Sequence, residues 1–164
     1  MRYSSIRQLD IANGPGCRVS LFVQGCSFHC PGCFNPGTQD FEGGKEFTDE
    51  SYETIMKLAK PDHISGLSIL GGEPLHPQNR EAVLKLAKSF KTLYPQKTLW
   101  LWTGYRLEDV YEDLVGSGID VVVDGRFVED LKDLRLKYRG SSNQRVIDLN
   151  ETIRTGDIIL YEGT

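Results

Sequence analysis

Short apolar runs alternate along this chain with segments whose apolar residues recur at helical spacing, and no other feature constrains the fold as strongly. The pattern predicts strands over residues 19–23, 67–70, 98–102 and 119–123, and helices over residues 52–60, 78–93 and 107–115. Strands joined by helices in this way form parallel sheets, which are buried on both faces. The alternation therefore predicts an α/β fold whose parallel sheet is covered on both sides.

The C-terminal part of the chain departs from this rhythm. Residues 130–138 are rich in charge, residues 140–143 have loop composition, and residues 145–149 and 157–161 are predicted to pair as two further strands. A closed eight-fold barrel typically needs about 250 residues, whereas this chain has 164. We therefore predict a single domain over residues 1–164, an open and incomplete parallel (β/α) barrel with a C-terminal extension.

Charge and hydropathy exclude several classes of partner. The 19 basic and 23 acidic side chains give a net charge of -4, so bulk charge attracts neither nucleic acid nor an anionic membrane. No run approaches the roughly 18 apolar residues of a spanning helix, and residues 1–13 lack the apolar block of a signal peptide. We expect no nucleic-acid partner, no membrane partner and a cytoplasmic location.

Three closely spaced cysteines carry the strongest functional signal. Cys26, Cys30 and Cys33 form a Cys-x3-Cys-x2-Cys motif in the long loop after the strand at residues 19–23. Clustered cysteines in a cytosolic chain indicate a metal site rather than disulfides. Iron–sulfur clusters are held by thiolates, and three thiolates leave one iron of a four-iron cluster open for chemistry.

A zinc site is the alternative interpretation of the same cysteines. Its fourth ligand would be His29, His63 or Cys17, but zinc modules usually add a second cysteine pair, which this chain lacks. The missing pair favours iron and sulfur. Cys17 precedes the strand and is predicted to pack as a small apolar residue. The three histidines, including His76, show no metal-ligand spacing and are expected at the surface or in caps.

A second motif follows the next predicted strand. Gly71, Gly72, Glu73 and Pro74 stand at the carboxyl end of residues 67–70, the edge where ligands bind in α/β folds. Two glycines permit a close backbone approach, and a carboxylate can accept hydrogen bonds from an ammonium group. Alone, such a sequence is more often a simple turn. One βα unit after the cysteine loop, it indicates a shared ligand site.

Together these motifs resemble the radical S-adenosylmethionine superfamily. Within it, the chain resembles the anaerobic ribonucleoside-triphosphate reductase activating proteins over nearly its whole length. The segments that carry this resemblance are DIANGPG at residues 10–16, LFVQGC at 21–26, CPGCFN at 30–35, GGEPLHP at 71–77 and RGSSNQR at 139–145.

The resemblance implies two cofactors and an activity. The three cysteines would hold a [4Fe-4S] cluster whose fourth iron is chelated by S-adenosyl-L-methionine, and the Gly-Gly-Glu turn would receive the methionine ammonium. One electron from the cluster would cleave the sulfonium, and the resulting radical would generate a glycyl radical on the large subunit of anaerobic (class III) ribonucleoside-triphosphate reductase. The implied electron donor is a flavodoxin or a ferredoxin.

Alternatives within the superfamily remain open at this point. The chain could activate another glycyl radical enzyme, such as pyruvate formate-lyase, or act as a small radical enzyme on a free metabolite. Relatives with a ferredoxin-like insertion carry additional cysteines, and this chain has only four.

Cofactor contacts beyond the cluster are predicted around the motifs. Gly32, Cys33 and Phe34 are predicted to contact the cofactor. Gly32 stands where an aromatic residue commonly precedes the third cysteine of the superfamily, so Phe34 is expected to contact the adenine instead. Thr103 and Asp124 follow two strands and are predicted to contact the ribose or the carboxylate, with a cap and a turn as the alternative roles.

Sequence patterns also predict roles for two further groups of residues. Ser141, Ser142, Asn143 and Arg145 are predicted to contact cofactor or partner, with a solvated polar loop as the alternative. Trp100 and Trp102 alternate along one strand, so they share a face and are predicted to belong to the core rather than to a ligand platform.

Overall fold

The computed structural model describes residues 1–163 of the chain. Strands and helices follow one another along these residues, joined by loops and two short 3-10 turns. The elements are β1 (Arg2–Asp10), β2 (Cys17–Gln24), β3 (Lys45–Glu46), α1 (Asp49–Ala59), β4 (Ile64–Gly71), α2 (Arg80–Leu93), β5 (Thr98–Trp102), α3 (Leu107–Leu114), β6 (Val121–Asp124), β7 (Arg145–Asp148) and α4 (Leu149–Thr155).

All seven strands form one open sheet in the order β3-β1-β2-β4-β5-β6-β7. The four central strands, β2, β4, β5 and β6, run parallel. Antiparallel strands flank them, with β1 and β3 on one side and β7 on the other. The predicted α/β fold with a sheet that does not close is therefore confirmed, and the parallel strands lie near their predicted positions.

The helices lie on one face of this sheet, whereas loops and the C-terminal segment cover the other. Both faces are buried, as expected, since the central strands β2, β4 and β6 are buried along most of their length. The main core joins alternate strand residues such as Leu21, Ile69 and Leu101 to the apolar faces of α1, α2 and α3. The parallel strands follow one another in chain order across the sheet. Because each crossover is right-handed, every crossover helix falls on the same side. The opposite face is left for loops and a pocket.

The C-terminal elements differ from their prediction. β7 forms as expected, but residues 157–161 contribute only one isolated bridge, between Leu160 and Ile147. The helix α4 occupies the connection, because the Asp148 side chain accepts a hydrogen bond from the Glu151 amide and caps its first turn. Gly156 then ends the helix in the left-handed conformation, at φ 79°. No helix within residues 1–163 is long and apolar enough to cross a bilayer.

The buried side chain of Arg18 connects the ends of three parallel strands by hydrogen bonds. It is fully buried, and its guanidinium donates to the Ser68 hydroxyl at 2.8 Å and to the carbonyls of Leu67 and Thr98 at 3.0 and 2.9 Å. Burial lowers the pKa of this guanidinium to about 10. Charge buried in this way is tolerated only because its donors find acceptors.

Replacing Arg18 with methionine should therefore destabilise the fold. The change leaves the buried Leu67 carbonyl and Ser68 hydroxyl, and also the Thr98 carbonyl, without this donor. We therefore expect the free energy of unfolding to fall by about 3 kcal/mol in urea denaturation. Arg135→Met is the control, since Arg135 is exposed and pairs with the neighbouring Asp133. Equal stability of the Arg18 variant and the wild type would show that the guanidinium does not hold the strands together.

Candidate functional site

A pocket of about 400 Å³ lies at the carboxyl ends of the parallel strands, on the face that the helices leave free. Its floor contains Phe22 of β2, Leu70 of β4 and Trp102 of β5, which alternate with the residues of the main core. All three cysteines of the motif line this pocket, as do Gly71, Gly72 and Glu73. The fold thus brings the two sequence motifs to one cavity.

The cysteine loop is fixed at its start by backbone hydrogen bonds. The amide of Gly25 donates to the carbonyl of Thr38 at 2.7 Å, and the amide of Cys26 donates to the carbonyl of Gln39 at 3.0 Å. A tight turn closes the other end of the motif, because the Cys33 amide donates to the Cys30 carbonyl at 3.1 Å. The loop therefore has a defined backbone path around its sulfur atoms.

The sulfur atoms are unpaired and partly buried. All three are free thiols. Burial raises the pKa of the Cys26 thiol, and backbone hydrogen bonds from Phe28 and His29 offset part of that rise. The Asn35 amide donates to the Cys33 sulfur at 3.4 Å. Amides directed at the sulfur atoms are one of the means by which proteins tune an iron–sulfur cluster.

This donor set suits a cluster better than a single ion. Among residues 1–163, no three His, Cys, Asp or Glu side chains are arranged to hold one metal ion. The three thiols all line one cavity. A zinc ion needs its ligands to converge at about 2.0–2.3 Å, whereas each cysteine of a four-iron cluster can bind a different iron.

Phe28, between the first two cysteines, anchors the loop to the neighbouring strand ends. Its ring packs edge-on against Tyr105, with 4.9 Å between ring centroids. A Cβ atom on Gly104 would lie 2.5 Å from the Phe28 ring, so only glycine fits there. The guanidinium of Arg126 lies over the same ring at 4.3 Å from its centroid.

Phe34 provides a second anchor, just after the third cysteine. Its ring lies 4.8 Å from that of Phe127, and the Lys132 ammonium lies 5.4 Å from its centroid. Phe34 is 51% exposed and also lines the pocket. This ring therefore already packs against the chain itself, and its contact with adenine stays a prediction.

Gly32 has a physical reason to replace the aromatic residue of the superfamily. Its backbone is left-handed at φ +71°, and an added Cβ would lie 2.9 Å from the Glu129 carboxyl group. A side chain is therefore strained and crowded at this position. Gly32 does not line the pocket, and its predicted cofactor contact is untested.

The two glycines after β4 are required by the protein's own backbone. A Cβ on Gly71, at φ +111°, would lie 2.5 Å from the Val23 nitrogen, and one on Gly72 would lie 2.6 Å from the Gly25 carbonyl oxygen. The Glu73 amide donates to that same carbonyl at 2.8 Å. The glycines let the turn press against the start of the cysteine loop and lock the two motifs together.

Glu73 is almost fully buried, with 2% of its surface exposed. Its carboxylate accepts hydrogen bonds from the Leu75 amide at 2.8 Å, the Thr103 hydroxyl at 2.7 Å and the Gly104 amide at 2.6 Å. Burial raises the pKa of Glu73 to about 7, against the lowering effect of these donors. A carboxylate has roughly four acceptor positions, so one is left for a ligand.

Thr103 and Asp124 occupy different environments. Thr103 lines the pocket and donates its hydroxyl to Glu73. Asp124 is fully buried outside the pocket lining, where it accepts from the Leu107 amide at 2.8 Å and from Arg145 at 3.0 Å. The structure thus brings Thr103, but not Asp124, to the cavity.

Comparison with known proteins decides the family. The sequence model of a family described as "4Fe-4S single cluster domain" matches residues 12–147. The chain is 41% identical over 146 residues to a protein of Enterobacteria phage T4, covering 89% of this chain and 93% of that one. It is 44% identical over 150 residues to one of Escherichia coli K12, covering 89% and 97%. Both relatives are named anaerobic ribonucleoside-triphosphate reductase-activating protein.

The chain belongs to this family of activating proteins. A Vibrio cholerae relative of the same name agrees, with 43% identity over 149 residues, which cover 88% of this chain and 96% of that one. The predicted family is therefore confirmed. The region matched by the cluster-domain model contains the three cysteines, the Gly-Gly-Glu turn and most of the C-terminal segment that borders the pocket.

In this chain, most of the RGSSNQR segment stabilises its own loop. The buried Ser141 hydroxyl accepts from the Val128 amide, and the Asn143 side chain donates to the Arg126 carbonyl. Ser142 is exposed, and Arg145 pairs with Asp124. None of the four predicted contact residues, Ser141, Ser142, Asn143 and Arg145, lines the pocket.

Trp100 and Trp102 share a face, as predicted. Trp100 is 1% exposed and packs in a second, smaller core cluster. Trp102 belongs to the pocket lining, and its indole NH donates to the Tyr138 carbonyl at 2.7 Å. Tyr138 is held at φ 64°, an uncommon conformation for a residue with a side chain.

Three arginines of the activating-protein pocket were missed by the sequence patterns. Arg7, Arg126 and Arg139 line it, and Glu73 is the one acidic residue among the lining residues. Arg139 lies in a segment that resembles the family, and this was the one signal available. Arg7 and Arg126 come from a strand and a loop that carry no motif. The pocket is therefore cationic, although the chain has a net charge of -4.

Proposed function

We propose that this protein is a radical S-adenosylmethionine enzyme that generates a glycyl radical on anaerobic ribonucleoside-triphosphate reductase. The observation that carries the proposal is the common cavity of the three free thiols and the Gly-Gly-Glu turn. Relatives that cover nearly the whole chain are named as activating proteins of that reductase. Both motifs lie within the region matched by the cluster-domain family model.

Cys26, Cys30 and Cys33 would hold a [4Fe-4S] cluster, and the remaining iron would bind S-adenosyl-L-methionine. When bound, these cofactors supply one electron and a carbon-centred radical that removes a hydrogen atom from a glycine of the reductase. The chain's own residues bind and orient the cofactors. Their task is also to keep water and unintended hydrogen donors away.

Glu73 would receive the cofactor's ammonium group. Its three donors from the chain fix the orientation of the carboxylate and leave an acceptor position free. A cation next to this buried carboxylate would favour its ionised form and lower its pKa from about 7. The apolar floor, which includes Phe22, Leu70 and Trp102, would exclude water from the reacting atoms.

The open sheet would give the reductase access to the cofactors. We propose that residues 1–164 form one radical S-adenosylmethionine domain, and that its parallel strands are an incomplete barrel whose open side admits the glycine loop of the partner. Activation would take place in the cytoplasm, with a flavodoxin or a ferredoxin as the electron donor.

Electron paramagnetic resonance tests the whole proposal. After anaerobic reconstitution and reduction, S-adenosyl-L-methionine should alter the spin signal of the cluster, because it binds the open iron. Addition of the class III reductase should then produce a glycine-centred doublet, and pyruvate formate-lyase should remain silent as the control partner. Two results would contradict the proposal: metal analysis that finds about one zinc per chain and no labile sulfide, or a cluster spin signal that does not change when the cofactor is added.

A further inference from the structure

Within the described residues 1–163, one cation at the mouth of the pocket has neither a hydrogen-bond partner nor an ion-pair partner for its side chain. The exposed Arg126 lines the cysteine pocket and also a second, outer groove beside it. The other residues of this outer groove are Phe28, Gly104, Tyr105, Arg106 and Asp109. Arg126 therefore stands at the boundary between the candidate cluster site and the protein surface.

The guanidinium of Arg126 is held in place but left unpaired. It lies over the Phe28 ring at 4.3 Å from the centroid, and Phe28 belongs to the cysteine loop. Among residues 1–163, its side chain makes no hydrogen bond and no ion pair with any other residue. An arginine that lies over an aromatic ring can keep its in-plane NH groups available for a bidentate acceptor.

The other two arginines of the pocket are partly engaged. Arg139 donates to the Gln144 carbonyl at 2.6 Å, and Arg7 lies over the Phe22 ring and 3.9 Å from an Asp10 oxygen. These two cations also line the pocket and can serve the single carboxylate of S-adenosyl-L-methionine. That cofactor also carries an ammonium and a sulfonium group, so it does not require three arginines.

We propose that Arg126 binds a carboxylate of the reductase, within the segment that carries the target glycine. This inference rests on the proposed function and adds a specific contact to it. Charge complementarity selects the occupant, because an unpaired arginine at a pocket mouth favours an acidic group that arrives with the partner. Since Arg126 is stacked on the cysteine loop, the ion pair would place the partner's segment against the cluster site.

Variants at this position separate partner binding from cofactor binding. In reconstituted holoenzyme, Arg126→Gln should raise the reductase concentration that gives half-maximal glycyl radical by at least about tenfold, because a charge-assisted bidentate contact is lost. Arg126→Lys should be intermediate, since lysine keeps the charge without the planar fork. The dissociation constant of S-adenosyl-L-methionine and its cleavage without reductase should stay within about twofold of the wild type.

Arg135→Gln is the matched control, because it removes the same charge from an exposed arginine that pairs with Asp133 outside the pocket. It should behave as the wild type. Salt should weaken the partner interaction of the wild type more than that of Arg126→Gln, since exposed ion pairs are screened.

Two results would overturn the assignment. If Arg126→Gln bound the cofactor more weakly but needed the same reductase concentration for half-maximal glycyl radical, Arg126 would be a cofactor ligand. If neither quantity changed, Arg126 would have no role in binding. Failure of the proposed function is distinguishable, because the wild-type holoenzyme would then form no glycyl radical at any reductase concentration.

Discussion

Replacing Cys30 with alanine is expected to abolish both the cluster and the cleavage of S-adenosyl-L-methionine. The change leaves two thiolates in the pocket, too few to hold a cluster that already has one iron without a protein ligand. Changes in the surroundings of metal ligands typically cost about 10–100-fold, so loss of a ligand itself should exceed that range and reach the detection limit. Iron and labile sulfide after anaerobic reconstitution, followed by product analysis, provide the measurement.

Cys17→Ala is the control for this experiment. Cys17 begins β2, at the opposite end of the strand from the cysteine loop, and packs against the main core. Its replacement removes one small, partly buried group, which should cost about 1 kcal/mol of stability or less and leave the cluster content unchanged. A Cys17 variant without a cluster, or a Cys30 variant that keeps one, would reverse the ligand assignment.

The parallel strands could be predicted from the sequence because burial on both faces gives them continuous apolar runs. β1 has no such signal: the segment RYSSIRQLD is mostly polar and largely exposed. It becomes a strand because β2 and β3 pair with its two edges, which is tertiary context that a local pattern does not contain. α4 was missed because its cap, Asp148, is also the last residue that pairs as β7.

The site shows a similar division. The cysteines and the Gly-Gly-Glu turn could be located from the sequence because their spacing is local and their chemistry is specific. Arg126 could not, because its position over Phe28 joins residues nearly a hundred positions apart. The glycines were expected to make room for a ligand, whereas Gly71 and Gly72 first make room for the backbone of Val23 and Gly25. Contacts between loops that are distant in the chain cannot be predicted from a single sequence.

Glu73→Gln should weaken S-adenosyl-L-methionine binding by about 10- to 100-fold at pH 8, the range expected when a hydrogen bond loses its charge. Glutamine still accepts from the Gly104 amide and can donate to the Thr103 hydroxyl, so the main structural loss is the acceptor for Leu75. The variant should therefore fold. Calorimetry or equilibrium dialysis of the cluster-loaded protein measures the affinity.

The pH dependence distinguishes a charge contact from a structural effect. Because burial raises the pKa of Glu73 to about 7, the free protein holds a proton there at pH 6 that the cationic ammonium must displace. Wild-type affinity should thus fall roughly tenfold from pH 8 to pH 6, whereas that of Glu73→Gln should stay flat. Without cofactor, the raised pKa also means that this group's contribution to stability declines as the pH rises from 4.5 towards 7.

Glu151→Gln makes the same chemical change on an exposed helix, where Glu151 pairs with Arg154, and it should retain the full pH profile. If Glu73→Gln kept the wild-type profile as well, the titrating group would lie elsewhere in the pocket. If instead its affinity matched the wild type at every pH, the carboxylate would serve only the three donors of its own chain. The ammonium group would then have to be bound by the backbone carbonyls of the turn.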